Sequence, residues 1–586
     1  MKRPPSRPYL HRLPTISPKP SIHHLTHLPV RSLSCANSEV SPTAFEKRRW
    51  ASSPKSKTAL RRPASTTGAS VSAATASFAS CMIGYTTSFI GTTVSLQSFK
   101  DEFGLSRMSA SKASLIQANI VSLFQAGAFF GSIFAYSTAY YLGRRITLWT
   151  FVSLFIVGAC ITFAAIGGHI GPMYAGRVIS GFGVGGCTMI VPIYISEIAP
   201  PAIRGRLVGT YELGWQIGGL VGFWINYGMS QSLPYGRDQW LIPFAVQLIP
   251  AGIVLIGSLL FLRESPRWLW TRGRREEGVA TLCWLRKLQP DDTYILEEIE
   301  MMDLQIQGLP SGFIKPIRLA LTDSKVLWRL FLGHMLFVLQ NFSGINAINY
   351  YSPTIFRTMG VTSVKTVDLM TGLFGVVKCI MTVLWLTVLW LTVLIDKLGR
   401  RTLFLFGGTV GAACMFIIGA LIASNPSSSS TASALSSQGI GTIVFIYLWT
   451  CVYITSWNGT PWVVNAEMFS QASRNVGQVG ASMSNWLWTF VIARVTPNMV
   501  AGMGRNGFGM YFFFGAVTVC AVVFTFFLVP ETKSVPLDRM DRLFEVKPVW
   551  KAQWVVMGEL AESSLEWVKV DRNRKDESEV ERVDGV

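Results

Sequence analysis

Several long segments of this chain contain no Lys, Arg, Asp or Glu, and five of them illustrate the pattern. They run over residues 63–99, 113–143, 239–262, 330–356 and 402–466. Because about 18–20 consecutive apolar residues are enough to cross a bilayer, each segment is long enough to span a membrane. Only 15% of the 586 residues are charged, against roughly 25% in a typical soluble domain. The sequence therefore predicts a membrane protein that crosses the bilayer many times, and it excludes soluble enzymes.

Charged residues divide the apolar part of the chain into twelve candidate spans. In chain order these are 73–96, 114–137, 146–167, 173–196, 206–228, 240–262, 328–350, 369–395, 402–423, 439–463, 476–500 and 507–529. The polar stretch between the sixth and seventh spans has apolar residues at helical spacing, which predicts amphipathic helices on the membrane surface. We expect an all-α membrane protein with twelve transmembrane helices in two six-helix bundles.

The distribution of charge indicates how the domains are arranged. Residues 1–70 carry 13 Lys and Arg against two Glu, out of a net charge of +19 for the chain. Much of the remaining positive charge lies in short loops, as expected for the cytoplasmic flanks of membrane helices rather than for a nucleic-acid-binding surface. We expect both termini to be cytosolic. The predicted parts are a disordered basic tail (1–72), an N-terminal bundle (73–262), a cytosolic helical linker (263–327), a C-terminal bundle (328–530) and a cytosolic tail (531–586).

The two sets of six spans repeat each other in three ordered motifs. The matching pairs are Gly-Arg-Arg at 143–145 and 399–401, Glu197 with Arg204 and Glu467 with Arg474, and Glu264-Ser265 and Glu531-Thr532. Parallel repeats of this kind are one architecture of secondary transporters, with the solute bound between the repeats near the middle of the membrane. The repeat therefore predicts two pseudo-symmetric bundles with a site between them.

Several motifs, in order along the chain, resemble those of the sugar porter family of the major facilitator superfamily. They include GRVISGFGVGGC, PIYISEIAPPAIRGRL, RESPRWLW, LQNFSGINAINYYSPTIF, DKLGRRTLFLFG and PETKSVPLDRMDRLF. Within the family, SWNGTPWVVNAEMF and YELGWQIGGLVGFWINYG look most like segments of fungal quinate permeases. The resemblance implies the major facilitator fold, transport by alternating access and a place in the plasma membrane.

The resemblance also implies a gate of charged side chains at the inner mouth of the protein. Its members would be Arg144, Arg145, Glu197, Arg204, Asp396, Arg400, Arg401, Glu467 and Arg474. If these charges bridge the two halves, they close the inner side while the outer side is open. Each exposed pair contributes only about 0–1 kcal/mol, but several together are enough to bias two conformations that differ by a few kcal/mol. The alternative is that the charges only set the membrane topology.

Ionisable residues inside predicted spans are costly and usually functional, and two of them, Lys378 and Glu212, bear on the solute. Lys378 lies ten residues after Asp368, too deep in its span to reach the membrane surface easily. A buried ammonium needs an anion, so Lys378 favours an acidic solute such as a hydroxy-acid. The alternatives are a structural pair with Glu212 or a lysine that reaches the interface. Glu212 stands where sugar porters commonly have a substrate-binding Gln, and it could bind hydroxyl groups or carry a proton.

Further solute-binding residues are implied by position in the family's motifs. They are Gln340, Asn341 and Asn346 in LQNFSGIN, Trp462 after Pro461, and the pair Asn485 and Trp486. Amide groups both donate and accept hydrogen bonds, which suits a polyhydroxylated ligand. Since Asn346 lies about 240° around a regular helix from Gln340, convergence of these amides requires a kink, and Gly344 permits one. The alternative for each Trp is packing or a place in the aromatic belt.

Four features depart from the family pattern. Thr86 stands where proton-coupled members often have an Asp, although Arg177, which often partners that Asp, is present. Tyr140 and Tyr141 replace the usual Asp-Arg of the first gate motif, and Arg263 replaces a usual Pro. The tandem repeat TVLWLTVLWLTVL at 382–394 lengthens the eighth span. Coupling is therefore open between uniport and a proton site at Glu212, with Arg177 as a second candidate.

We expect a secondary transporter of a small polyhydroxylated solute, with no catalytic residue, metal or cofactor. The favoured solute is quinate or a related hydroxy-acid, because Lys378 suits a carboxylate. The alternatives are a neutral hexose or pentose carrier, and a nutrient receptor or inactive paralogue on the same fold. The expected partners are the solute, protons and the lipid bilayer, and no nucleic acid.

Overall fold

A computed structural model describes the chain from residue 67 to residue 562, with short gaps. The gaps are 166, 201–202, 308–311, 360, 362, 392–398, 425–435, 471–472, 534 and 536–538, and the side chains of 67, 204–206, 307 and 387–391 are also outside the description. Nearly all of the predicted N-terminal tail, and Asp396 of the predicted gate, therefore lie outside the described residues, as do the side chain of Arg204 and the end of the predicted eighth span.

The elements of the first half and of the linker are all helical among the described residues. In the first half they are α1 (Thr67–Ser95), α2 (Gln97–Glu102), α3 (Ala110–Tyr141), α4 (Arg144–Phe163), α5 (Ile170–Ile198), α6 (Arg204–Ser232), α7 (Asp238–Val246) and α8 (Leu248–Phe261). In the linker they are α9 (Pro266–Thr271), α10 (Arg275–Arg286), α11 (Thr293–Gln307) and α12 (Ile314–Thr322).

The second half continues in the same way. Its helices are α13 (Ser324–Asn341), α14 (Ile345–Thr358), α15 (Val364–Leu391), α16 (Arg400–Ser424), α17 (Ser437–Tyr453), α18 (Thr460–Met468), α19 (Arg474–Gly502), α20 (Phe508–Leu528) and α21 (Met540–Glu545). A single π-helical segment, Ile454–Asn458, joins α17 to α18.

Each of the twelve predicted spans lies largely on helix within the described residues, and residues 392–395 of the eighth span fall outside them. Eight helical segments of the described residues are long and apolar enough to cross a membrane. The other four predicted spans, which correspond to α1, α6, α13 with α14, and α19, are helical but less apolar. They carry many of the Ser, Thr, Asn and Gln side chains that are buried inside the protein, because polar groups in a bundle face its interior rather than lipid.

The predicted kink in the seventh span is present. Helix α13 ends at Asn341, and α14 begins only at Ile345, after Gly344 with φ +100°. This left-handed conformation suits glycine because it has no Cβ. A Cβ at Gly344 would also lie 2.8 Å from a ring carbon of Phe514. The break redirects the chain, so that α13 and α14 present polar groups to the same region.

The linker packs against the end of α5, and the side of the membrane where it lies is called the linker face below. Arg286 of α10 forms a buried ion pair with Glu298 of α11, at 2.6 Å, and donates to the carbonyl oxygen of Ile198 at 2.8 Å. These helices lie within residues 263–327, the stretch for which the sequence predicts a linker. At the other end of the bundle, α1 and α14 approach so closely that a Cβ at Gly91 would overlap the carbonyl of Tyr350.

Candidate functional site

Lys378 is a buried cation in the middle of α15. Its side chain is 6% exposed, and Nζ donates a hydrogen bond to Asn349 Oδ1 on α14 at 3.0 Å. Nζ also lies 5.4 Å from the centre of the Phe374 ring. Within the described part of the chain, the ion pairs closer than 4.0 Å do not include Lys378. The ammonium is thus held by a neutral amide and an aromatic face, which leaves its charge available to a ligand.

Glu212 joins the two halves rather than pairing directly with Lys378. Its Oε1 accepts hydrogen bonds from Gln216 Nε2 on α6 at 2.8 Å and from Asn458 Nδ2 of the π-helical segment at 2.5 Å. The carboxylate is nevertheless near enough to act electrostatically on Lys378. The π-helical turn sets the direction of the Asn458 side chain. Such irregular helical turns are common at functional sites.

The amides of the seventh and eleventh spans form one hydrogen-bonded cluster. Asn346 Nδ2 donates to Asn341 Oδ1 at 2.5 Å, and Thr489 Oγ1 donates to the same oxygen at 2.7 Å. Asn341 Nδ2 lies 3.5 Å from Asn485 Oδ1. The kink at Gly344 therefore brings together Asn341 and Asn346, which a regular helix would separate, beside Asn485 of α19. Thr489, one turn after Asn485, completes the cluster and was not predicted from the sequence.

Gln340 points to a different neighbour. Its Nε2 donates to the carbonyl oxygens of Trp457 and Asn458, at 2.9 and 2.8 Å, which ties α13 to the π-helical segment. Its Oε1 is buried and has no hydrogen-bond partner among the described residues. Because buried polar atoms are normally satisfied, this oxygen is a candidate acceptor for a ligand hydroxyl.

Trp486 is fully buried between the two halves. It belongs to α19, but it stacks on Trp215 of α6 with ring centres 6.1 Å apart and meets the edge of Phe124 of α3 at 6.3 Å. Its indole N–H has no partner within the described residues. Trp462, by contrast, packs edge-on against Phe337 at 4.6 Å, so its observed contact is a packing contact.

Arg177 is a buried guanidinium, only 1% exposed, without a carboxylate partner in the described structure. It donates from Nε to the carbonyl oxygen of Ile120 at 3.1 Å and lies over the Phe124 ring at 4.3 Å. The Thr86 hydroxyl donates to its own helix, at the carbonyl oxygen of Met82, 2.8 Å away. Thr86 therefore does not stand in for the missing acid beside Arg177.

On the linker face, the repeated motifs of the first half contact each other. Arg144 binds Glu197 through two parallel hydrogen bonds, of 2.9 Å from Nε and 2.8 Å from Nη2. The backbone N–H groups of Arg144 and Arg145 donate to Glu264 at 2.8 and 3.2 Å. Burial raises the pKa of Glu264, whereas these N–H donors oppose that rise. Glu264 thus caps the N-terminus of α4, where a carboxylate is stabilised by the helix dipole.

The second half repeats this arrangement residue for residue. Arg400 Nη2 donates to Glu467 at 3.1 Å, and the backbone N–H groups of Arg400 and Arg401 donate to Glu531 at 2.9 Å each. Thr532 Oγ1 also donates to Glu467, at 2.6 Å. The ion pairs of Arg144 and Arg400 each lie within one half, so these two pairs do not bridge the halves in this conformation. Arg474 begins α19.

Tyr140 and Tyr141 form an aromatic cluster where the family pattern has charges. Phe313, just before α12, packs against Tyr140 at 5.4 Å and against Tyr141 at 5.5 Å between ring centres. Arg272 of the linker lies over the Tyr140 ring at 4.3 Å. In place of the charges of the family pattern, Tyr140 and Tyr141 thus provide packing between the linker and the end of α3.

The helical bundles, the buried polar groups between them and the paired clusters on one face together define a membrane transporter of the major facilitator fold. The solved structure of XylE, a proton:xylose symporter of the major facilitator superfamily bound to 6-bromo-6-deoxy-D-glucose, matches with a TM-score of 0.69 and 27% identity, over 82% of this chain and 100% of that one. An inward-open structure of XylE from E. coli matches with a TM-score of 0.63 and 25% identity, over 80% of this chain and 98% of that one.

Sequence comparison specifies the family. Residues 72–544 match the family model described as "Sugar (and other) transporter". A protein named quinate permease from Neurospora terricola is 53% identical over 523 residues, which is 88% of this chain and 94% of that protein. A second quinate permease, from Neurospora africana, is 55% identical over 496 residues, covering 83% and 91%. The chain belongs to the sugar transporter family of the major facilitator superfamily, and it is a transporter rather than an enzyme.

Proposed function

We propose that this transporter carries quinate or a related hydroxy-acid across the membrane by alternating access. The observation that carries the proposal is the buried ammonium of Lys378, which is held by a neutral amide. A buried charge is costly unless it is paired, and the carboxylate of an acidic solute supplies that pair. The relatives named quinate permease, at 53% and 55% identity, support the same substrate class.

The neighbouring polar groups suit the hydroxyl groups of such a solute. The cluster of Asn341, Asn346 and Asn485 offers both donors and acceptors. The unpartnered Trp486 N–H and Gln340 Oε1 add one donor and one acceptor. A solute with a carboxylate and several hydroxyls would then use Lys378 for orientation and the amides for specificity, since a few placed polar groups set the orientation in such sites.

In this proposal the linker face is cytosolic and the protein lies in the plasma membrane, with both termini inside. The basic loops on that face agree with the positive-inside rule. The clusters around Arg144 and Arg400, with Arg145, Glu197, Arg401, Glu467 and Arg474, act as the inner gate, and Arg204 and Asp396 are proposed members by sequence position. Each cluster stiffens one half, so the halves can rock as rigid bodies about the site.

Proton coupling is proposed at Glu212. It is the carboxylate that faces the central site from the first half, and its hydrogen bond from Asn458 crosses to the second half. Protonation of Glu212 would alter that bond between the halves, which links a proton to the change of conformation. Arg177 would act only through its positive charge. Thr86, which stands where proton-coupled members often have an Asp, has no ionisable group.

A neutral sugar is the second candidate. The amide cluster by itself would serve a hexose or pentose, and the solved structures that match the chain are of a xylose transporter. The test is uptake of labelled quinate and labelled glucose, at two pH values, by cells that lack their own carriers. Quinate uptake that rises with acidity would support an acid symporter, and uptake of glucose alone would overturn the proposal.

The variant Lys378→Ala separates the two candidates. Hydrogen bonds to charged groups contribute about 1.5–3 kcal/mol, so kcat/KM for quinate should fall by at least about tenfold, with a smaller loss for any neutral sugar. Lys365→Ala is the matched control, because Lys365 is an exposed lysine at the start of the same helix. Equal losses for acid and sugar in Lys378→Ala would contradict the role of its charge.

A further inference from the structure

A second polar cavity lies near the face opposite the linker, with a volume of about 520 Å³. It is bounded by the ends of α1 and α6, the loop before α7, the end of α14 and the start of α15. Both halves therefore contribute to it. The polar lining residues used below are Gln97, Ser230, Tyr235, Gln239, Arg357 and Asp368, and Ser95 also lines the cavity.

This cavity is separate from the site around Lys378. Asp368 precedes Lys378 by ten residues on α15, a rise of about 15 Å along the helix. Between the two levels, Phe223 of α6 meets Phe374 of α15 with ring centres 6.2 Å apart. At a similar level the backbones of α1 and α14 are in contact at Gly91 and Tyr350. Packed side chains and backbone thus form a layer between the cavity and the central site.

The cavity carries a cation with no assigned partner. Arg357 lies at the end of α14, and its side chain is exposed. The guanidinium makes no hydrogen bond or ion pair with another side chain in the described part of the chain. Lys100 of α2 is a second cation nearby. Burial and then the positive charge of Arg357 lower the pKa of Lys100. The two positive charges oppose each other, although the charge of Asp101 partly offsets the effect on Lys100, and an anion placed beside them would be stabilised by both cations.

The acidic groups of the same region are already engaged. Asp368 Oδ2 accepts a hydrogen bond from the Ser230 hydroxyl, at 2.9 Å, which joins α15 to α6. Asp101 of α2 accepts from Gln97, from Ser106 and from the Tyr235 hydroxyl. Neither acid forms an ion pair closer than 4.0 Å with Arg357. The guanidinium therefore stays available, beside amide groups that can bind hydroxyls.

We propose that this cavity is a second binding site, at which Arg357 holds the carboxylate of a hydroxy-acid before the solute reaches Lys378. Lys100 adds to the positive potential, and the side-chain oxygens of Gln97 and Gln239 accept from hydroxyl groups, since their Nε2 groups already donate within the protein. A planar guanidinium pairs with a carboxylate through two parallel hydrogen bonds. The inference rests on the proposed function in one respect, namely that the transported solute is an acid.

The test is the concentration dependence of labelled quinate uptake by cells expressing the full chain, normalised to the amount of protein at the cell surface. Arg357→Gln should raise KM about threefold to fivefold at low ionic strength, with little change in maximal rate. The increase should shrink between ionic strengths of about 0.01 M and 0.1 M, because the Debye length falls from about 30 Å to about 10 Å. Arg357→Lys should recover part of the affinity.

Two further variants make the result decisive. Lys112→Gln removes an exposed positive charge near the start of α3, on the same face but outside the cavity, and it should leave KM unchanged. Asp368→Asn keeps an acceptor for Ser230 while removing a negative charge beside Arg357, so it should lower KM. If Arg357→Gln and Lys112→Gln behave alike while the unmodified protein takes up quinate, the second site is overturned. If the unmodified protein takes up no quinate, the proposed function itself fails.

Discussion

The charged clusters of the linker face are repeated in both halves, whereas the polar site between the halves is built from different residues on each side. On the linker face, each half uses the same parts, namely a Gly-Arg-Arg helix start, a Glu at the end of the fourth span and a capping Glu after the sixth span. Between the halves there is no such repetition. The central amides and Lys378 belong to the second half, and the first half contributes Glu212 and Trp215.

The difference teaches which parts of the repeat are free to diverge. The clusters satisfy helix termini and hold three spans of each half together, a requirement that is the same in both halves. The solute is not symmetric, so the groups that bind it gain nothing from being repeated. Specificity in this protein should therefore respond to changes in α13, α14, α15 and α19, and rigidity should respond to changes in both clusters.

The two clusters also differ in strength, and this gives the largest expected effect. The side chains of Arg144 and Glu197 are 10% and 7% exposed, against 14% and 25% for Arg400 and Glu467. Breaking a buried pair by removing one partner costs about 3–5 kcal/mol. Arg144→Ala should therefore lower the free energy of unfolding by roughly that amount, and Arg400→Ala by roughly half as much, because the Arg400–Glu467 pair is more exposed to solvent.

Thermal unfolding of the purified protein in detergent measures this difference. In Arg144→Ala the destabilisation comes mainly from a buried carboxylate left without its cation. The double variant Arg144→Ala/Glu197→Gln removes that charge and should recover part of the lost stability. Equal melting temperatures for Arg144→Ala and Arg400→Ala would show that the two clusters are equivalent despite their different burial.

Gly344→Ala tests the kink that brings the central amides together. The left-handed conformation, with φ +100°, costs an L-residue about 1–2 kcal/mol, and the added Cβ would press on Phe514. We expect a loss of about 2–3 kcal/mol in stability and a rise in KM for the solute. Gly252→Ala is the control, since that glycine lies inside α8 with nothing within 4 Å of an added Cβ, and it should be neutral or stabilising by up to about 1 kcal/mol.

A large part of the fold was readable from the sequence because membrane helices obey simple rules. Apolar runs placed the described part of each predicted span largely on helix, and the three repeated motifs form matching clusters in the structure. Even the break at Gly344 followed from the angle between Gln340 and Asn346. These features depend on local sequence and on the need to satisfy backbone groups in lipid, which one chain is enough to show.

The contacts between helices were harder to predict. Asn349, which holds Lys378, lies three residues after Asn346 and so shares its helix face, a signal that was available but not used. Asn458, which binds Glu212, is aimed by a π-helical turn that no pattern in the sequence indicated. The Arg144–Glu197 and Arg400–Glu467 pairs each lie within one half, which the sequence did not indicate, because which carboxylate an arginine meets depends on how whole helices pack.

The variant Trp486→Phe tests whether Trp486 binds the solute through its N–H or only packs between the halves. Phe keeps an aromatic ring beside Trp215 and Phe124 but removes the unpartnered N–H. If that N–H binds the solute, its loss should cost about 1 kcal/mol of binding, a rise in KM of about fivefold, with little change in stability. Trp457→Phe is the matched control, because the Trp457 N–H already donates to the carbonyl oxygen of Phe404 at 3.1 Å. That variant should lower stability and leave KM nearly unchanged.

The smallest effect is expected for Thr86→Ala, and it bears on what the first half contributes. The Thr86 hydroxyl donates within its own helix, so its removal deletes no contact between helices, and uptake should change by less than about twofold. Glu212→Gln is the informative partner, because the amide can still accept from Asn458 but cannot take up a proton. If Glu212 carries the proton, the pH dependence of uptake is lost in Glu212→Gln and kept in Thr86→Ala. If the pH dependence is kept in Glu212→Gln, the proton site is not Glu212 and the proposed coupling fails.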